Sequence, residues 1–489
     1  MKKLLLLVML AGSVLMLQAQ KLEKTNIMIK GDYSLSLGNI AGLGSDGNNY
    51  YLFSPCKGVY KKGKDSYYVI NKKNATSKQY FVANGKNERS LKAVMYGDNI
   101  IVLLVRDKAN EKKSQIVKQT YTKTTGELKQ ETVIASFPKS KSDNLLFRST
   151  MSPDKTKIGF LFMIVNEKDK VDSYYATVLN EACNVEWGSV NGLDISNKSF
   201  SVKSLAVTNS GEMYIAFFSY PEDIKKAANK KSYIDLVYLT DGLKDKMNIP
   251  LEKHEIADVK LKSLKNGDVY LAAVFTPNDQ SYADEFFSLK LNGNNLTDRG
   301  SHTYKIEEKN TRVKTQQLHY YFFNDYLYHL EIKDILELDN GDIAILCEQK
   351  TSINMNGYYY YMNGSVTTFF ANGNDASIID VSVMGKTQIR LGGHNGSSIF
   401  SFVYGNTVGY VFNDDFKRHT TSAGKVKYYD WAIVLCTQES GGKEKIDVLT
   451  GTQKPADFDL RQVLFQENDK LIILTHGKKE ARIETITLP

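Results

Sequence analysis

Seven histidines, four cysteines and the carboxylates of several turns are the residues of this chain that could do chemistry. A zinc hydrolase would place two histidines on one helix face as His-Glu-x-x-His. His254, His302, His319, His329, His394, His419 and His476 show no such spacing. His319 and His329 could meet across a hairpin, but two ordinary surface or half-buried histidines are the plainer reading. Calcium needs clustered oxygen ligands. Ser45-Asp46-Gly47-Asn48-Asn49 and Asn372-Gly373-Asn374-Asp375 resemble such a loop only faintly, and read better as turn residues chosen for backbone shape. A nucleophile elbow needs Gly-x-Ser-x-Gly. Gly42-Leu43-Gly44-Ser45-Asp46-Gly47 and Gly392-Gly393-His394-Asn395-Gly396-Ser397-Ser398 come near it and miss the spacing. Cys56, Cys183, Cys347 and Cys436 form no Cys-x-x-Cys, so no structural zinc is expected. Their three complete pairings cannot be told apart by sequence. Cys347 and Cys436 lie within apolar runs and read as small buried strand residues. No catalytic residue, metal ligand or cofactor site is therefore expected from spacing.

What would position a site is a repeated phrase, a tight polar turn followed by an apolar run. Lys265-Asn266-Gly267-Asp268 leads into Val269–Phe275, and Asp339-Asn340-Gly341-Asp342 leads into Ile343–Cys347. Six further copies lead into runs anchored at Tyr50, Ile100, Ile158, Tyr214, Val408 and Leu471. The copies recur every 50 to 74 residues, close to the blade period of propellers, about 40–50 residues, once loops are added. Around each run lie a preceding short strand and a following pair, as in Tyr233–Leu239 and Lys246–Pro250. Four strands per unit make the blade of a β-propeller. The expected fold is all-β, a propeller of about eight four-stranded blades, with seven as the alternative. The last unit has room for three strands only. A strand near Asn26–Lys30 pairing with Ile483–Leu488 would supply the fourth and seal the ring. In this phrase Asn266, Gly267 and Asp268 are assigned to backbone geometry.

Met1-Lys2-Lys3, an apolar run from Leu4 to Leu17 and then Gln18-Ala19-Gln20 describe a secretory signal peptide. The run is shorter than the roughly 20 residues that a spanning helix needs. Residues 1–19 are expected to be the leader and 20–489 a single propeller domain, with an insertion near 305–330. Export to the periplasm, the outer-membrane periphery or the outside follows.

Two features stand outside the repeat. Loops after the apolar strands are rich in basic residues, at Lys61 and Lys62, Arg106, Lys112 and Lys113, Lys168 and Lys170, and Lys225 and Lys226. Repetition would put these charges on one face, where they could recruit an acidic partner. Asp65, Asp107, Glu111, Asp169 and Glu222 interrupt them, so a solvated rim is the plainer reading. Tyrosines cluster in the insertion, with Tyr320 and Tyr321, and at Tyr358–Tyr361. Such rings can stack on sugars or grip a protein, or simply pack between blades. Lys61, Lys62, Lys112, Lys113, Lys225, Lys226, Tyr320 and Tyr321 are the candidate partner face.

The leader ending Leu17-Gln18-Ala19-Gln20, the phrase Gly357-Tyr358-Tyr359-Tyr360-Tyr361, and Ser397-Ser398-Ile399-Phe400 before Gly409–Asp414 resemble a group of exported β-propeller proteins from anaerobic bacteria of gut and mouth. The resemblance covers mainly Ile332–Pro489. It implies fold and compartment and brings no activity, since fold does not fix function. The expected function is an exported, non-catalytic binding or scaffold propeller that holds a protein or glycan at the cell envelope. The alternative is a carbohydrate-active hydrolase or lyase with its site in a central channel. No nucleic-acid partner is expected. Mass spectrometry of the protein recovered from its native cell should find Gln20 at the N-terminus; a chain that keeps Met1 would overturn export.

Overall fold

The computed structural model describes residues 22–29, 40–55, 65–74, 76–85, 88–108, 111–140, 146–166, 168, 170–197, 199–221, 231–251, 254–277, 283–306, 330–355, 358–391, 399–415, 431–442, 445–449, 459–476 and 481–488. All its regular elements are strands. They are β1 (Leu22–Ile29), then β2 (Ala41–Ser45), β3 (Asn49–Ser54), β4 (Ser66–Asn71) and β5 (Ser77–Phe81) in the first blade. The second holds β6 (Glu88–Tyr96), β7 (Asn99–Lys108), β8 (Lys113–Thr122) and β9 (Leu128–Pro138); the third β10 (Phe147–Met151), β11 (Lys157–Val165), β12 (Val171–Asn180) and β13 (Val185–Gly192). The fourth holds β14 (Ser199–Val207), β15 (Met213–Tyr220), β16 (Ser232–Thr240) and β17 (Leu243–Leu251); the fifth β18 (His254–Ser263), β19 (Val269–Pro277), β20 (Glu285–Leu291) and β21 (Asp298–Lys305). The sixth holds β22 (Leu330–Glu337), β23 (Ile343–Met355), β24 (Tyr358–Ala371) and β25 (Ile378–Leu391); the seventh β26 (Ile399–Tyr404), β27 (Thr407–Asp415), β28 (Trp431–Gln438) and β29 (Lys445–Val448). The eighth holds β30 (Asp459–Glu467), β31 (Lys470–His476) and β32 (Ala481–Thr487).

Each blade is a four-stranded antiparallel meander in chain order, and the eighth is completed by β1 pairing with β32. The fold is thus an eight-bladed β-propeller. The terminal pairing is the expected one: Ile27 faces Ile483, Met28 faces Arg482 and Ile29 faces Ala481, with the strand starting four residues earlier than the sequence suggested. The apolar runs after the repeated turns are the second strands of all eight blades. Every residue from Ile158 to Ile164 of β11 is buried, whereas β13, the last strand of that blade, is largely exposed. A second strand is covered on both faces, so it reads as a continuous apolar run and not as an alternation.

The chain forms two compact units, Met1–Ser54 with Tyr67–Gln79 and His394–Pro489, and Pro55–Ser66 with Tyr80–Gly393. Inside the second unit the cores sit between successive sheets. Leu103 and Ile116 of the second blade pack with Phe160 and Phe162 of the third, and Tyr174 and Trp187 of the third with Met213 and Phe217 of the fourth. Leu236 and Tyr238 of the fourth then meet Val259 and Leu271 of the fifth, and Phe286 of the fifth stacks on Phe369 of the sixth at 4.2 Å between ring centres. In the first unit the eighth blade supplies two such cores. Ile472 and Leu474 pack with Tyr50 and Leu52, and Leu471 and Ile473 with Val411 and Leu435. Each buried side chain of this kind contributes about 1.5–3 kcal/mol.

Polar staples add register. The first strands β14, β18 and β22 each carry an extra residue, between Val202 and Ser204, Ile256 and Asp258, and Ile332 and Asp334. Such bulges re-aim side chains and backbone. Ser204 Oγ accepts from the amide of Leu261 at 2.9 Å, and Asp258 Oδ2 accepts from the amide of Ile332 at 2.9 Å. The fourth blade thereby holds the first strand of the fifth, and the fifth that of the sixth.

The turns of the fifth and sixth blades are near copies. Gly267 and Gly341 have φ of +91° and +87° and donate to the carbonyls of Leu264 and Leu338, each at 3.0 Å. Asn266 and Asn340 accept from the amides of Asp268 and Asp342, each at 3.0 Å. This is the expected backbone role, but Asp268 does more. It also binds Lys290 at 3.1 Å and Arg299 at 3.2 Å, and Lys290 Nζ reaches the carbonyl of Gly373 in the sixth blade at 2.6 Å. The neighbouring turns lie against these. A Cβ on Gly293 would stand 1.8 Å from the carbonyl oxygen of Gly267, and one on Gly373 would stand 1.7 Å from that of Gly341. Backbone cannot yield as a flexible side chain does. Gly373→Ala should therefore cost about 1–3 kcal/mol or more, read as a lower midpoint in urea unfolding, whereas Gly47→Ala, which meets nothing within 4 Å, should leave it almost unchanged.

Candidate functional site

Of the candidate partner face, only Lys112 and Lys113 fall among the described residues; Lys61, Lys62, Lys225, Lys226, Tyr320, Tyr321 and most of the 305–330 insertion lie outside them. Lys112 and Lys113 are exposed at the turn into β8, where Lys112 has φ of +50° and its carbonyl accepts from the amide of Lys139 at 3.0 Å. Arg106, expected as a loop charge, is a strand residue instead. It sits in β7 between Glu88 and Glu131, the latter 2.6 Å away. That arrangement holds the Glu131 carboxyl below the ordinary range, through the Arg106 and Gln119 hydrogen bonds. The charge is internal to the sheet and unavailable to a partner. Tyr358–Tyr361 open β24, paired with Met355–Ser352, beyond the last residue of β23 that pairs with β22. They belong to a three-stranded extension of the sixth blade and not to its four-stranded body.

Cys183 and Cys347 are free thiols, and both they and Cys436 are fully buried, as small apolar strand or turn residues are. Burial pushes the Cys183 thiol up to about 12 and raises that of Cys347 further, so neither is a nucleophile. Among the described residues no three His, Cys, Asp or Glu side chains gather to hold a metal ion. No helix of the described residues is long and apolar enough to cross a membrane.

Among the described residues the second unit has a cleft of about 850 Å³ between the third and fourth blades. Its walls are the start of β10 with Leu146, Phe147 and Arg148, the start of β14 with Phe200, Ser201 and Val202, and the connection between blades with Leu193, Ile195, Ser196 and Asn197. Leu161, Met163 and Val171 form the floor, and Asn166, Lys170 and Asp172 bring the loop from β11 to β12 to the rim. This loop is one of the lysine-bearing loops of the sequence. Leu146 is 52 % exposed, so the lining is an open trough. The apolar residues are where a blade-to-blade joint puts them: two sheets diverge at their ends, and the side chains that close the joint lower down line the gap above.

The polar residues of the cleft divide sharply into committed and uncommitted groups. Asn166 Oδ1 accepts from the amides of Lys168 and Lys170, and its Nδ2 donates to Asp172 at 2.8 Å. Ser196 donates its hydroxyl and its amide to Asp235, a fully buried carboxylate that also takes the Ser219 hydroxyl. Asn197 donates to the carbonyl of Lys231 at 3.1 Å. These bonds fix the walls. Arg148 and Lys170 are exposed and make no ion pair among the described residues; the Arg148 guanidinium only touches the carbonyl of Phe147 at 3.4 Å. Among the described residues the cleft thus offers an apolar floor and two cations without an ion pair.

A second charged group lies on β18, β22 and β23 of the fifth and sixth blades. Lys260 donates to the carbonyl of Lys333, while Lys333 pairs with Glu331 at 2.7 Å and with the buried Glu348 at 3.3 Å. Burial raises the Asp258 carboxyl and lowers the Lys260 amine. Every acid here already holds a lysine or a backbone amide of the next blade, which makes the group a structural network. The sequence hid it, because its members come from two repeats.

The blades and the cleft define a β-propeller protein with an inter-blade groove. No protein-family model matches the chain, and no curated protein matches its sequence. Among solved structures it is similar to the β-propeller domain of the Trilobed protease from Pyrococcus furiosus, at 12 % identity over 85 % of this chain and 97 % of that one, with a TM-score of 0.32. It is also similar to prolyl oligopeptidase B from Galerina marginata, at 9 % identity over 93 % and 56 % with a TM-score of 0.40. The acylaminoacyl peptidase of Pyrococcus horikoshii matches at 12 % identity over 91 % and 59 % with a TM-score of 0.35. The chain spans little more than half the length of the last two, and their peptidase names are said of those proteins.

Asp172 gives the rim a pH limit. Hydrogen bonds from Asn166 and then Ser173 hold its carboxyl below the ordinary 3.8. A depressed acid stabilises its surroundings above its unfolded value and loses this as pH falls through the folded value. The Lys170 amide, bonded to Asn166 Oδ1 at 3.1 Å, should stay protected in hydrogen exchange at neutral and mildly acidic pH and open below 3.8. Asp172→Asn should flatten that profile.

Proposed function

We propose that the protein is an exported, non-catalytic binding or scaffold propeller that uses the inter-blade groove to hold a protein or glycan at the cell envelope. The observation that carries this reading is the cleft of about 850 Å³ with an apolar lining and two cations that make no ion pair among the described residues. A ligand site is expected to be concave, mostly apolar and furnished with a few placed polar groups, and the cleft has this constitution. The carboxylates that could serve acid–base chemistry nearby, Asp235 and Asp172, are tied to serine and asparagine side chains that shape its walls. The leader at residues 1–19 supports the compartment, since a basic start and a short apolar core are what the export machinery reads.

The test is a pull-down from envelope extract with the leader-free protein as bait, beside a glycan-array screen and a polysaccharide-hydrolysis assay. The expected result is a retained partner that is lost when Ile195→Asp charges the groove, with no turnover of any polysaccharide. Release of sugars by the purified protein would replace this reading with that of a carbohydrate-active enzyme. A partner retained equally by Ile195→Asp would move the site off the groove.

A further inference from the structure

Of the groups that a neutral sugar would need, the groove keeps few. Sugar hydroxyls are recognised by paired donors and acceptors, and the amides and hydroxyls of Asn166, Ser196 and Asn197 are already spent on the walls. What remains is Ser201, with no hydrogen bond among the described residues, the exposed Asp172 carboxylate, whose oxygens already accept from Asn166 and Ser173, and two cations that donate only. Nine apolar residues, among them Leu146, Phe147, Met163 and Phe200, make up the rest of the lining. We propose that the groove takes a short extended peptide segment that lays apolar side chains along Leu193, Ile195 and Val202 and offers one carboxylate to Arg148 and Lys170.

The chemistry of the two cations supports this occupant. A guanidinium receives a carboxylate through two parallel hydrogen bonds, and charge assistance makes these about twice as strong as neutral ones. Both cations lie at the mouth, Arg148 on β10 and Lys170 at the end of the loop into β12. An acid at one end of an apolar segment would place its charge at the rim and its side chains in the trough. The trough is open along the rim, as the 52 % exposure of Leu146 shows. That suits a chain whose backbone stays hydrated while alternate side chains are buried, and it would leave an alkyl tail wet. The carboxylate could belong to a chain terminus or to an aspartate or glutamate side chain.

This inference rests on the groove being the binding site, and the experiment separates the two claims. Fluorescein-labelled pentapeptides of leucine, valine and phenylalanine are titrated against the leader-free protein in three forms: with a free C-terminus, with a C-terminal amide, and as the amide with one internal glutamate. The free acid, the glutamate form or both should bind about tenfold or more tighter than the neutral amide, the usual scale for a charged hydrogen-bonded contact; which of them does so identifies the source of the carboxylate. Arg148→Ala and Lys170→Ala should remove that preference, and Ile195→Asn should weaken all forms alike. Arg148→Glu should favour a lysine-bearing peptide instead. Arg148 and Lys170 are exposed, so unchanged melting of these variants confirms intact folding. Equal binding of acid and amide forms, or no binding of any peptide, overturns the proposal. Neutral oligosaccharides run in parallel keep the broader claim distinct: sugar binding abolished by Ile195→Asn would sink the peptide and keep the groove.

Discussion

A four-stranded sheet with two apolar faces cannot stand alone in water. Every other property of this protein depends on that constraint. The second strands of the blades are buried along nearly their whole length, so each sheet needs a neighbour on both sides. Within the second unit the cores are accordingly shared, one between each consecutive pair of blades from the second to the sixth. Stability is therefore distributed over joints and not concentrated in a centre. The polar staples at Ser204 and Asp258 act at the same joints, where they fix the offset of one blade on the next.

Function inherits this arrangement. A joint between diverging sheets is closed by side chains at one level and open at another. The groove of the third and fourth blades is such a gap, furnished by residues that belong to packing lower down. Among the described residues, Arg148 and Lys170 differ from the other charges around the joint in making no ion pair. Asp235, by contrast, is completely enclosed and bound by Ser196 and Ser219, and it serves the shape of the wall. The division between satisfied and unsatisfied polar groups, more than the volume of the cavity, is what points to a ligand.

The fold was legible because its signals are local and repeated. An Asn-Gly-Asp turn demands positive φ at its glycine, and the apolar run behind it must be buried; eight copies leave little freedom of interpretation. Even the completion of the last blade by Leu22–Ile29 followed from counting strands. The groove was not legible. Its residues come from Leu146 to Val202, across two repeats and the connection between them, and no spacing rule links Arg148 to Lys170. One signal was present: Leu193 and Ile195 are apolar residues in a connection between strands, next to Gly192, where a polar loop would be usual. Charge alone misled. Arg106 looked like a loop cation in the sequence, and the structure turns it into the glutamate pair of its own sheet.

The pairing of β1 with β32 joins Leu22 to Ile486, and this orders events in time. Blades one to seven are each made of consecutive strands and can form as the chain emerges. The eighth has to wait for both ends, and until then β32 presents an unpaired edge, the kind of surface that recruits strands from other chains. Contacts of such large sequence separation also form slowly. Assembly of this protein therefore ends on its longest-range contact, and the interval before that contact forms is when the chain is most exposed to pairing with a second copy of itself.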